Sequence, residues 1–423
     1  MRSRETSPFL LSLLLWVALL GASLWPGLGG AQPTRAQPAQ TQASAWPQPL
    51  GVSSPSWLLI DLSTGQTLAS RNETEAMQPG GLSALMTTYL SFVALRDRVI
   101  RLDQVVASRP ESEVPAGPRI FLGPAGARVK DLLDGILLLG AHDASLALAS
   151  AIAGSEEAFV TLMNQTAQRL GMRQTRFVNA SGAFHQETVS SARDLAILAS
   201  TLFQEFPEAL VIASQRELSF NGIRQTNPNR LLWLDRSVDG LMATDLPDRS
   251  SALVTAKRPQ PLGPREQVQR RLLVVVTQAE SAEKRVQDTQ RLLNFGYQQF
   301  DLIRLYRQDE VSASIPVFKG AIPTLKTEFR QDVLVAIPRN QQGNIRSVLQ
   351  HPKGLVAPIV ANQPVGELRV WFANQEIHQV ALVAADSIRP AGLLGRAIDS
   401  LLLWAQTIED RLLNQALEPS RLQ

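Results

Sequence analysis

The 423-residue chain contains no cysteine. Disulfide bonds, thiolate chemistry and cysteine-type zinc sites are therefore excluded. A large excess of charge is also missing, because 41 lysine and arginine residues stand against 38 acidic residues and leave a formal net charge of +3. Since no dense basic cluster appears either, nucleic-acid binding has little support. No histidines and acidic residues share the spacing of a metal site and no glycine pattern fits a phosphate, so we expect no metal and no cofactor.

Apolar residues make up 44% of the chain, enough for the cores of two domains once any leader is removed. The N-terminus has the pattern of an export signal, because Arg2 and Arg4 precede an apolar run at 9–20 and small residues follow it. We predict a signal peptide at 1–31, with an uncleaved membrane anchor as the alternative. In either case we expect the body of the protein to be exported. Residues 32–50 are rich in Gln, Pro and Ala and are predicted to form a flexible linker.

The first half of the chain alternates between strand and helix patterns. Residues 56–72 predict a β-hairpin around a Ser-Thr-Gly turn, and apolar residues at helical spacing predict a helix over 78–90. The stretch 131–153 is apolar and rich in helix formers, which indicates a buried position. Residues 156–170 predict a helix with a serine cap before it and a glycine after it. The sequence at 191–194 predicts a capping box at the start of a further helix.

The second half is dominated by strand patterns. Residues 251–257 and 270–278 predict two strands joined by a proline-rich turn, and 288–300 predicts a helix that packs back on them. Beyond Phe300 mostly strands follow, including a hairpin around 373–375. This half is therefore predicted to end in a small all-β domain.

The C-terminus returns to a helical pattern with an apolar stripe. The residues of the stripe are Leu394, Ile398, Leu401, Ala405, Ile408 and Leu412. We predict a helix that lies on a membrane surface, where the apolar stripe and Trp404 would contact lipid. Between 396 and 411 three acidic residues oppose two basic ones, which weakens attraction to anionic lipid. An ordinary packed or self-associating helix therefore remains the alternative.

Many segments between Trp57 and Leu403 match more than a secondary-structure pattern. They include LLIDLSTGQTLAS, AFVTLMNQTAQRLGM, SSARDLAIL, FNGIRQTNPNRLLW, SVDG, LLNFGYQQF, LVAIPR and VGELRV. In these segments the chain resembles the low-molecular-mass penicillin-binding proteins, the periplasmic D-alanyl-D-alanine carboxypeptidases. The resemblance covers nearly all of the chain that follows the predicted leader.

The resemblance implies a fold and a domain organisation. We expect an α/β domain of the penicillin-binding/β-lactamase-like type at 51–300, with an antiparallel sheet and helices on both faces. A small β-sandwich is expected at 301–388, followed by the C-terminal amphipathic helix at 389–423. In the family that helix lies on the membrane, which places this protein in the periplasm, attached to the outer face of the inner membrane.

The resemblance also implies a reaction. In the family a serine attacks the terminal D-Ala-D-Ala bond of a peptidoglycan stem peptide, and water then hydrolyses the acyl-enzyme. The motifs Ser-x-x-Lys, Ser-x-Asn and Lys-Thr-Gly supply the nucleophile, the base and a cation for the substrate carboxylate. These three motifs are the candidate site of this chain.

All three motifs are replaced here although their flanking segments are kept. The first motif falls on GLSA, where Gly81 takes the serine position and Ala84 the lysine position. Ser83 cannot easily replace the nucleophile, because two residues along a helix its side chain points to another side. The gap at Gly81 is therefore where the reacting hydroxyl would be.

The other two motifs have lost their chemistry in the same way. In the second, Gly140 takes the serine position and His142 the asparagine position; in the third, Met242, Ala243 and Thr244 take the lysine, threonine and glycine positions. His142 next to Asp143 could form a new base, but adjacent helical residues do not face each other. We expect His142 only to fill the former asparagine position.

These replacements predict a catalytically inactive member of the family, a pseudoenzyme of peptidoglycan metabolism. Its expected partners are peptidoglycan stem peptides or an envelope protein, with peripheral membrane contact through the C-terminal helix and no nucleic acid. The alternative is an active serine-type carboxypeptidase that uses non-standard residues. A fold alone does not decide between them.

Overall fold

The computed structural model describes residues 46–308 and 310–392. The predicted signal peptide at 1–31, the linker up to residue 45 and the C-terminal helix beyond residue 392 lie outside the described residues. The expectations about export, linker flexibility and membrane contact therefore stay predictions.

Strands and helices follow one another through the whole described chain. The strands are β1 (Ser56–Asp61), β2 (Gln66–Arg71), β3 (Val105–Val106), β4 (Ala127–Arg128), β5 (Glu217–Phe220), β6 (Ile223–Thr226), β7 (Val238–Leu246), β8 (Arg249–Gly263), β9 (Glu266–Ala279), β10 (Phe300–Tyr306), β11 (Ala313–Phe318), β12 (Thr324–Glu328), β13 (Val333–Pro338), β14 (Ile345–Gln350), β15 (Leu355–Val356), β16 (Pro364–Phe372) and β17 (Gln375–Ala384). The α-helices are α1 (Ala84–Arg96), α2 (Val129–Leu139), α3 (His142–Ala153), α4 (Glu156–Leu170), α5 (Ala192–Glu205), α6 (Ala209–Ala213), α7 (Leu231–Leu234) and α8 (Ala282–Gln299).

The first part of the chain is built on a five-stranded antiparallel sheet in the order β2-β1-β9-β8-β7. Side chains alternate between its two faces, as the strand period requires. On β1, Leu58 belongs to the core that contains α1 to α5, whereas Trp57 and Leu59 belong to the core under α8. The sheet is therefore buried on both faces, and β7 forms the edge at which the candidate site lies.

Helix α4 has the bounds that the sequence predicts, whereas the helices predicted at 78–90 and 288–300 are displaced to Ala84–Arg96 and Ala282–Gln299. Helix α4 begins after Ser155, whose hydroxyl accepts a hydrogen bond from the Ala158 amide at 3.2 Å, and it ends at the left-handed Gly171. The capping box at 191–194 forms only in part. Ser191 accepts from the Asp194 amide, but the Asp194 carboxylate accepts from the Gln174 amide instead of returning to the cap. A tertiary contact has replaced the reciprocal half of the box.

The predicted proline-rich turn between two strands is wrong. β8 and β9 remain paired from Ser250↔Ala279 to Gly263↔Glu266, so that Pro259 and Pro261 lie within a strand. β7 pairs with β8 only as far as Ala256. The outer part of β8 therefore has a single partner strand, and a proline that lacks an amide donor is tolerated there.

The second part of the chain is a small β-sandwich. A six-stranded sheet in the order β14-β16-β17-β12-β11-β15 faces the two-stranded sheet of β10 and β13. Val335 and Ile337 of β13 share one buried cluster with Leu368 and Val370 of β16. The predicted hairpin around 373–375 joins β16 to β17, with Ala373 at a positive φ of 53°.

Specific contacts join the two parts. The amide group of Gln66 donates to the Ala336 carbonyl and accepts from the Ala336 amide, at 3.1 and 2.6 Å. The Trp46 ring lies 5.2 Å from that of Phe300 and 5.6 Å from that of Phe372, and its indole N–H donates to the Leu68 carbonyl at 2.6 Å. Trp46 therefore packs on both hydrophobic cores at their junction.

Within 46–308 and 310–392, no single helix is long and apolar enough to cross a membrane. Helices α3 and α4 together reach the required length and apolar composition, but the pair is bent by 86°.

Candidate functional site

Gly81, the predicted serine position of the first motif, lies on a tight turn. Residues Gly80–Ser83 form a 3₁₀ turn, and α1 starts directly after it at Ala84. Gly80 adopts a positive φ of 56°, which favours glycine. The turn places the backbone of Gly81 at the wall of a cleft, while Leu82 and Ser83 are buried beneath it.

Thr244 occupies the space beside Gly81. A β-carbon added to Gly81 would lie 2.7 Å from the Thr244 hydroxyl oxygen and 3.3 Å from its β-carbon. Real β-carbons essentially never come as close as the first of these distances. A serine cannot be placed at Gly81 unless Thr244 moves. The replacement in the third motif therefore fills the volume that the replacement in the first motif leaves open.

Two further glycines complete the floor of the cleft. Gly140 ends α2 in the left-handed conformation, and a β-carbon on it would lie 4.0 Å from the Gly81 carbonyl oxygen. Gly182 also has a positive φ, and a β-carbon there would lie 3.1 Å from the Gly81 α-carbon. Three backbone segments without side chains, at Gly81, Gly140 and Gly182, thus meet at the floor of the cleft. The floor carries no reacting group.

His142 is buried at the side of the cleft. Its side chain is covered by Gly117, and its Nδ1 lies 3.4 Å from the Pro115 carbonyl oxygen. Burial lowers the pKa of His142 below its ordinary value, which keeps the ring neutral. The expected separation from Asp143 is observed, because the Asp143 carboxylate accepts hydrogen bonds from the backbone amides of Ile120 and Leu122 at 3.1 Å each. His142 has no carboxylate to orient it as a base.

The third motif lies on the edge strand β7. Met242 and Thr244 face the helices, and Met242 is 3% exposed within the larger core. Ala243 faces the opposite side and packs in the core under α8. At the position that the sequence analysis assigns to the family's lysine, the side chain is therefore a buried, apolar methionine.

A cation on α8 contacts the end of this strand from the other face of the sheet. Arg285 of α8 is 2% exposed and pairs with Asp245, whose side chain is 49% exposed. Its guanidinium also donates to the carbonyl oxygens of Thr244 and Pro228, at 3.2 and 3.0 Å, and to the Ser250 hydroxyl at 2.8 Å. This network fixes the end of β7 from the far side of the sheet.

The cleft has a volume of about 340 Å³. It is lined by Gly81, Ala116, Gly117, Pro118, Leu139, Gly140, His142, Gly182, Ala183, Phe184, Met242, Ala243, Thr244, Asp245, Leu246 and Pro247. A second cavity of about 410 Å³ shares Phe184, Leu246 and Pro247 with it and continues outward. In the described part of the chain, no lysine or arginine lines the cleft, and Thr244 alone among the lining side chains carries a hydroxyl.

The structure brings six of the seven predicted site residues to one cleft. Ala84 is the exception, since it is fully buried in the core of α1 and does not line the cleft. Ser83 is also fully buried, and its hydroxyl has no hydrogen-bond partner, so it does not reach the cleft either. The sequence interpretation missed the rim residues Phe184, Leu246 and Pro247. In the sequence, the signal for Phe184 was an aromatic residue in a glycine-containing loop, and the signal for the other two was a Leu-Pro pair after a strand pattern.

Neither a metal site nor the larger groove of the described chain adds to the candidate site. Within 46–308 and 310–392, no group of three or more His, Asp or Glu side chains could hold a metal ion. A larger open groove of about 780 Å³ lies beside the end of α1 and includes Arg96 and Phe206, but none of the motif positions.

Comparison with known proteins agrees with this architecture. The family model for D-alanyl-D-alanine carboxypeptidases matches residues 40–248, and the model for the C-terminal domain of penicillin-binding protein 5 matches residues 300–389. The chain is 30% identical to D-alanyl-D-alanine carboxypeptidase DacC of Escherichia coli over 82% of this chain and 87% of that protein. It is 31% identical to DacD of Salmonella typhimurium over 84% and 91%.

Solved structures show the same architecture. Penicillin binding protein 5 from Haemophilus influenzae matches with a TM-score of 0.71 and 26% identity, over 81% of this chain and 99% of that one. The predicted fold, a penicillin-binding/β-lactamase-like α/β domain followed by a small β domain, is therefore confirmed.

Proposed function

The chain belongs to the D-alanyl-D-alanine carboxypeptidase family of penicillin-binding proteins, and from this membership and the site it carries we propose that it is a non-catalytic member that binds peptidoglycan stem peptides. It acts in cell-wall metabolism without cutting the peptide it holds. The protein would then retain the binding cleft of the family but not catalyse the family's reaction.

One observation carries the proposal: Thr244 fills the volume of the absent side chain at Gly81. A site that had lost only its nucleophile would leave a hole there. Removing the nucleophile or its base alone lowered kcat about a million-fold in a well-studied serine hydrolase. Here the nucleophile, base and carboxylate-binding positions are replaced together, and the site is repacked around the change.

Binding is supported by the cleft itself. Its volume of about 340 Å³ is within the range of small-ligand sites. The β7 edge, the loop at 182–184 and the turn at 246–247 surround it on three sides. An envelope protein is the alternative partner and would contact this same rim.

The proposed location is the periplasm, at the outer face of the inner membrane. The N-terminal sequence supports export, and the apolar stripe that starts at Leu394 supports membrane contact. Both arguments come from sequence outside the described residues.

The test is acylation by a β-lactam, because penicillin forms a covalent ester with the family's serine. Purified protein is incubated with a fluorescent penicillin and then measured by intact-mass spectrometry, beside an active carboxypeptidase of the family. We expect labelling of the active relative and no mass increase on this protein. A stable adduct would disprove the non-catalytic function and support the alternative, an active carboxypeptidase with non-standard residues. Peptide mapping would then show whether Thr244 had become the nucleophile.

A further inference from the structure

We propose that the cleft selects peptides whose bound end is uncharged, such as a C-terminal amide or an internal peptide segment, over peptides that end in a free carboxylate. This inference rests on the proposed stem-peptide binding and specifies its ligand. It inverts the requirement of the family's reaction, in which a cation holds the substrate carboxylate.

A ligand carboxylate would find no available cation in the described lining of the cleft. Within the described chain, the side chains that line the cleft include no lysine and no arginine. At the position of the family's lysine, Met242 presents a thioether and a methyl group. Its Cε would lie 3.9 Å from a β-carbon placed on Gly140, so the methyl group lies over the glycine floor. A carboxylate that entered there would contact methionine in place of an ammonium group.

The second argument is the position of Arg285. All of its described polar contacts lie on the far side of β7: the carbonyl oxygens of Thr244 and Pro228, the Ser250 hydroxyl and the Asp245 carboxylate. The guanidinium is 2% exposed and cannot turn to a ligand without breaking this network. Asp245 is paired with this guanidinium, so the network offers no available cation to a ligand in the cleft.

The outer cavity does not supply a cation to the inner cleft. Its arginine, Arg249, pairs with Asp248 at 2.8 Å. Asp248 lies in the turn that joins β7 to β8, and Arg249 is the first residue of β8. The arginine of the outer cavity is therefore part of a surface ion pair and does not line the inner cleft.

An uncharged end suits the remaining groups. The polar groups at the floor are the Thr244 hydroxyl and the backbone of the three glycines, which are neutral and can pair with an amide. The rim is apolar, with Phe184 60% exposed beside Leu246. A carboxylate must lose its water in this cleft without gaining a charged partner, whereas an amide loses much less on the same transfer.

The test compares two ligands that differ only at the bound end. The full mature protein is titrated with N-acetyl-D-Ala-D-Ala and with its C-terminal amide, and the Kd of each is measured by NMR or calorimetry. We expect the amide to bind at least about tenfold more tightly, equivalent to about 1.4 kcal/mol. This comparison uses the unaltered protein and does not depend on any variant folding.

A charge substitution provides the matched control. Met242→Lys places a cation in the cleft and should raise the affinity for the acid relative to the amide at least about tenfold. Val360→Lys adds the same charge on the β domain at a side chain that is 65% exposed, and should leave the ratio unchanged. If both substitutions change the ratio equally, the selectivity comes from net charge and the inference is wrong.

The outcomes separate the inference from the proposed function. If the acid binds as well as or better than the amide, the selectivity is wrong while stem-peptide binding stands. If neither ligand binds at millimolar concentration, the selectivity and the proposed stem-peptide binding are both wrong. An envelope protein that contacts the rim of the cleft is then the partner to test.

Discussion

The hydroxyl of Thr244 lies where the side chain of a residue at position 81 would begin, 2.7 Å from the β-carbon that Gly81 lacks. Two positions far apart in the sequence therefore act as one packing unit. A substitution at Gly81 therefore cannot be considered separately from the threonine on β7.

The first prediction concerns this pair. Gly81→Ser should destabilise the protein by about 1–3 kcal/mol, because the new side chain overpacks against Thr244. It should also stay unlabelled by penicillin. Adding Thr244→Gly should recover at least about 1 kcal/mol of that loss in a double-mutant cycle measured by denaturant unfolding. Gly123→Ser is the control, since nothing lies within 4 Å of the β-carbon it would gain. Additive effects of the two substitutions would show that the residues are not coupled.

The second prediction concerns the lysine position. Ala84 is fully buried at the start of α1. Ala84→Lys should lower the free energy of unfolding by at least about 1 kcal/mol, because the ammonium group has to be desolvated without a carboxylate beside it. Ala84→Met is the matched control, as it adds similar length without charge. Equal melting temperatures for the lysine variant and the unaltered protein would contradict an enclosed position.

The third prediction concerns pH. Burial lowers the pKa of His142 below its ordinary value of 6.5. At a pH below 6.5 the unfolded state takes up the proton more readily, so stability is complete above about pH 6.5 and falls as the pH decreases towards the lowered pKa. His142→Asn should flatten the loss of melting temperature between about pH 7 and pH 5. The pKa of His378 is also lowered by burial, so part of the slope should remain.

An exposed histidine serves as the control for that experiment. His185 lies on the surface loop, where its Nδ1 accepts a hydrogen bond from the Glu187 amide at 3.2 Å. His185→Asn is measured beside His142→Asn, so that the effect of removing a buried histidine is compared with that of removing an exposed one. An equally steep profile for His142→Asn and the unaltered protein would show that His142 is protonated in the folded state without cost.

The fourth prediction concerns the junction of the two parts. Trp46→Ala removes two aromatic contacts and one hydrogen bond. We expect a loss of roughly 3 kcal/mol, since each of the two aromatic pairs and the net hydrogen bond contributes about 1 kcal/mol. Calorimetry should show the β-sandwich unfolding separately from the first domain. Trp233→Ala, at a ring that is 40% exposed, is the control and should keep a single transition.

The fifth prediction concerns the membrane. Truncation after Gly392 removes the apolar stripe but keeps the hydrogen bond from the Ala391 amide to the Lys319 carbonyl at 2.7 Å. The truncated protein should move from the membrane fraction to the soluble periplasm with an unchanged melting temperature. Binding of the full chain to the membrane should depend only weakly on salt, because the polar residues beside the apolar stripe carry little net charge. A lower melting temperature with no change of location would show instead that the stripe packs on the protein.

The sequence predicts those features that depend on neighbouring residues. Ser155 and Gly171 define α4 because a cap and a left-handed end are local properties of the backbone. The pairing of β1 with β2 follows from a strand pattern interrupted by a turn. The motif positions could be assigned through the resemblance because their flanking segments are intact.

Features that depend on distant contacts could not be predicted in this way. Asp194 leaves its capping box because Gln174 and Thr175 offer it better donors, and both belong to another segment. Pro259 and Pro261 are in a strand because β7 ends before it reaches them. The contact between Gly81 and Thr244 has no local signal, because it joins two segments that are far apart in the sequence and the neighbours of neither residue indicate it.

That contact also bears on the history of the site. A single substitution that restored a serine at Gly81 would meet Thr244 before it could meet a substrate, so selection would see only the damage. Under the proposed function, a serine at position 81 is therefore accommodated only together with a second change at Thr244, and the two walls of the cleft have to change as a pair.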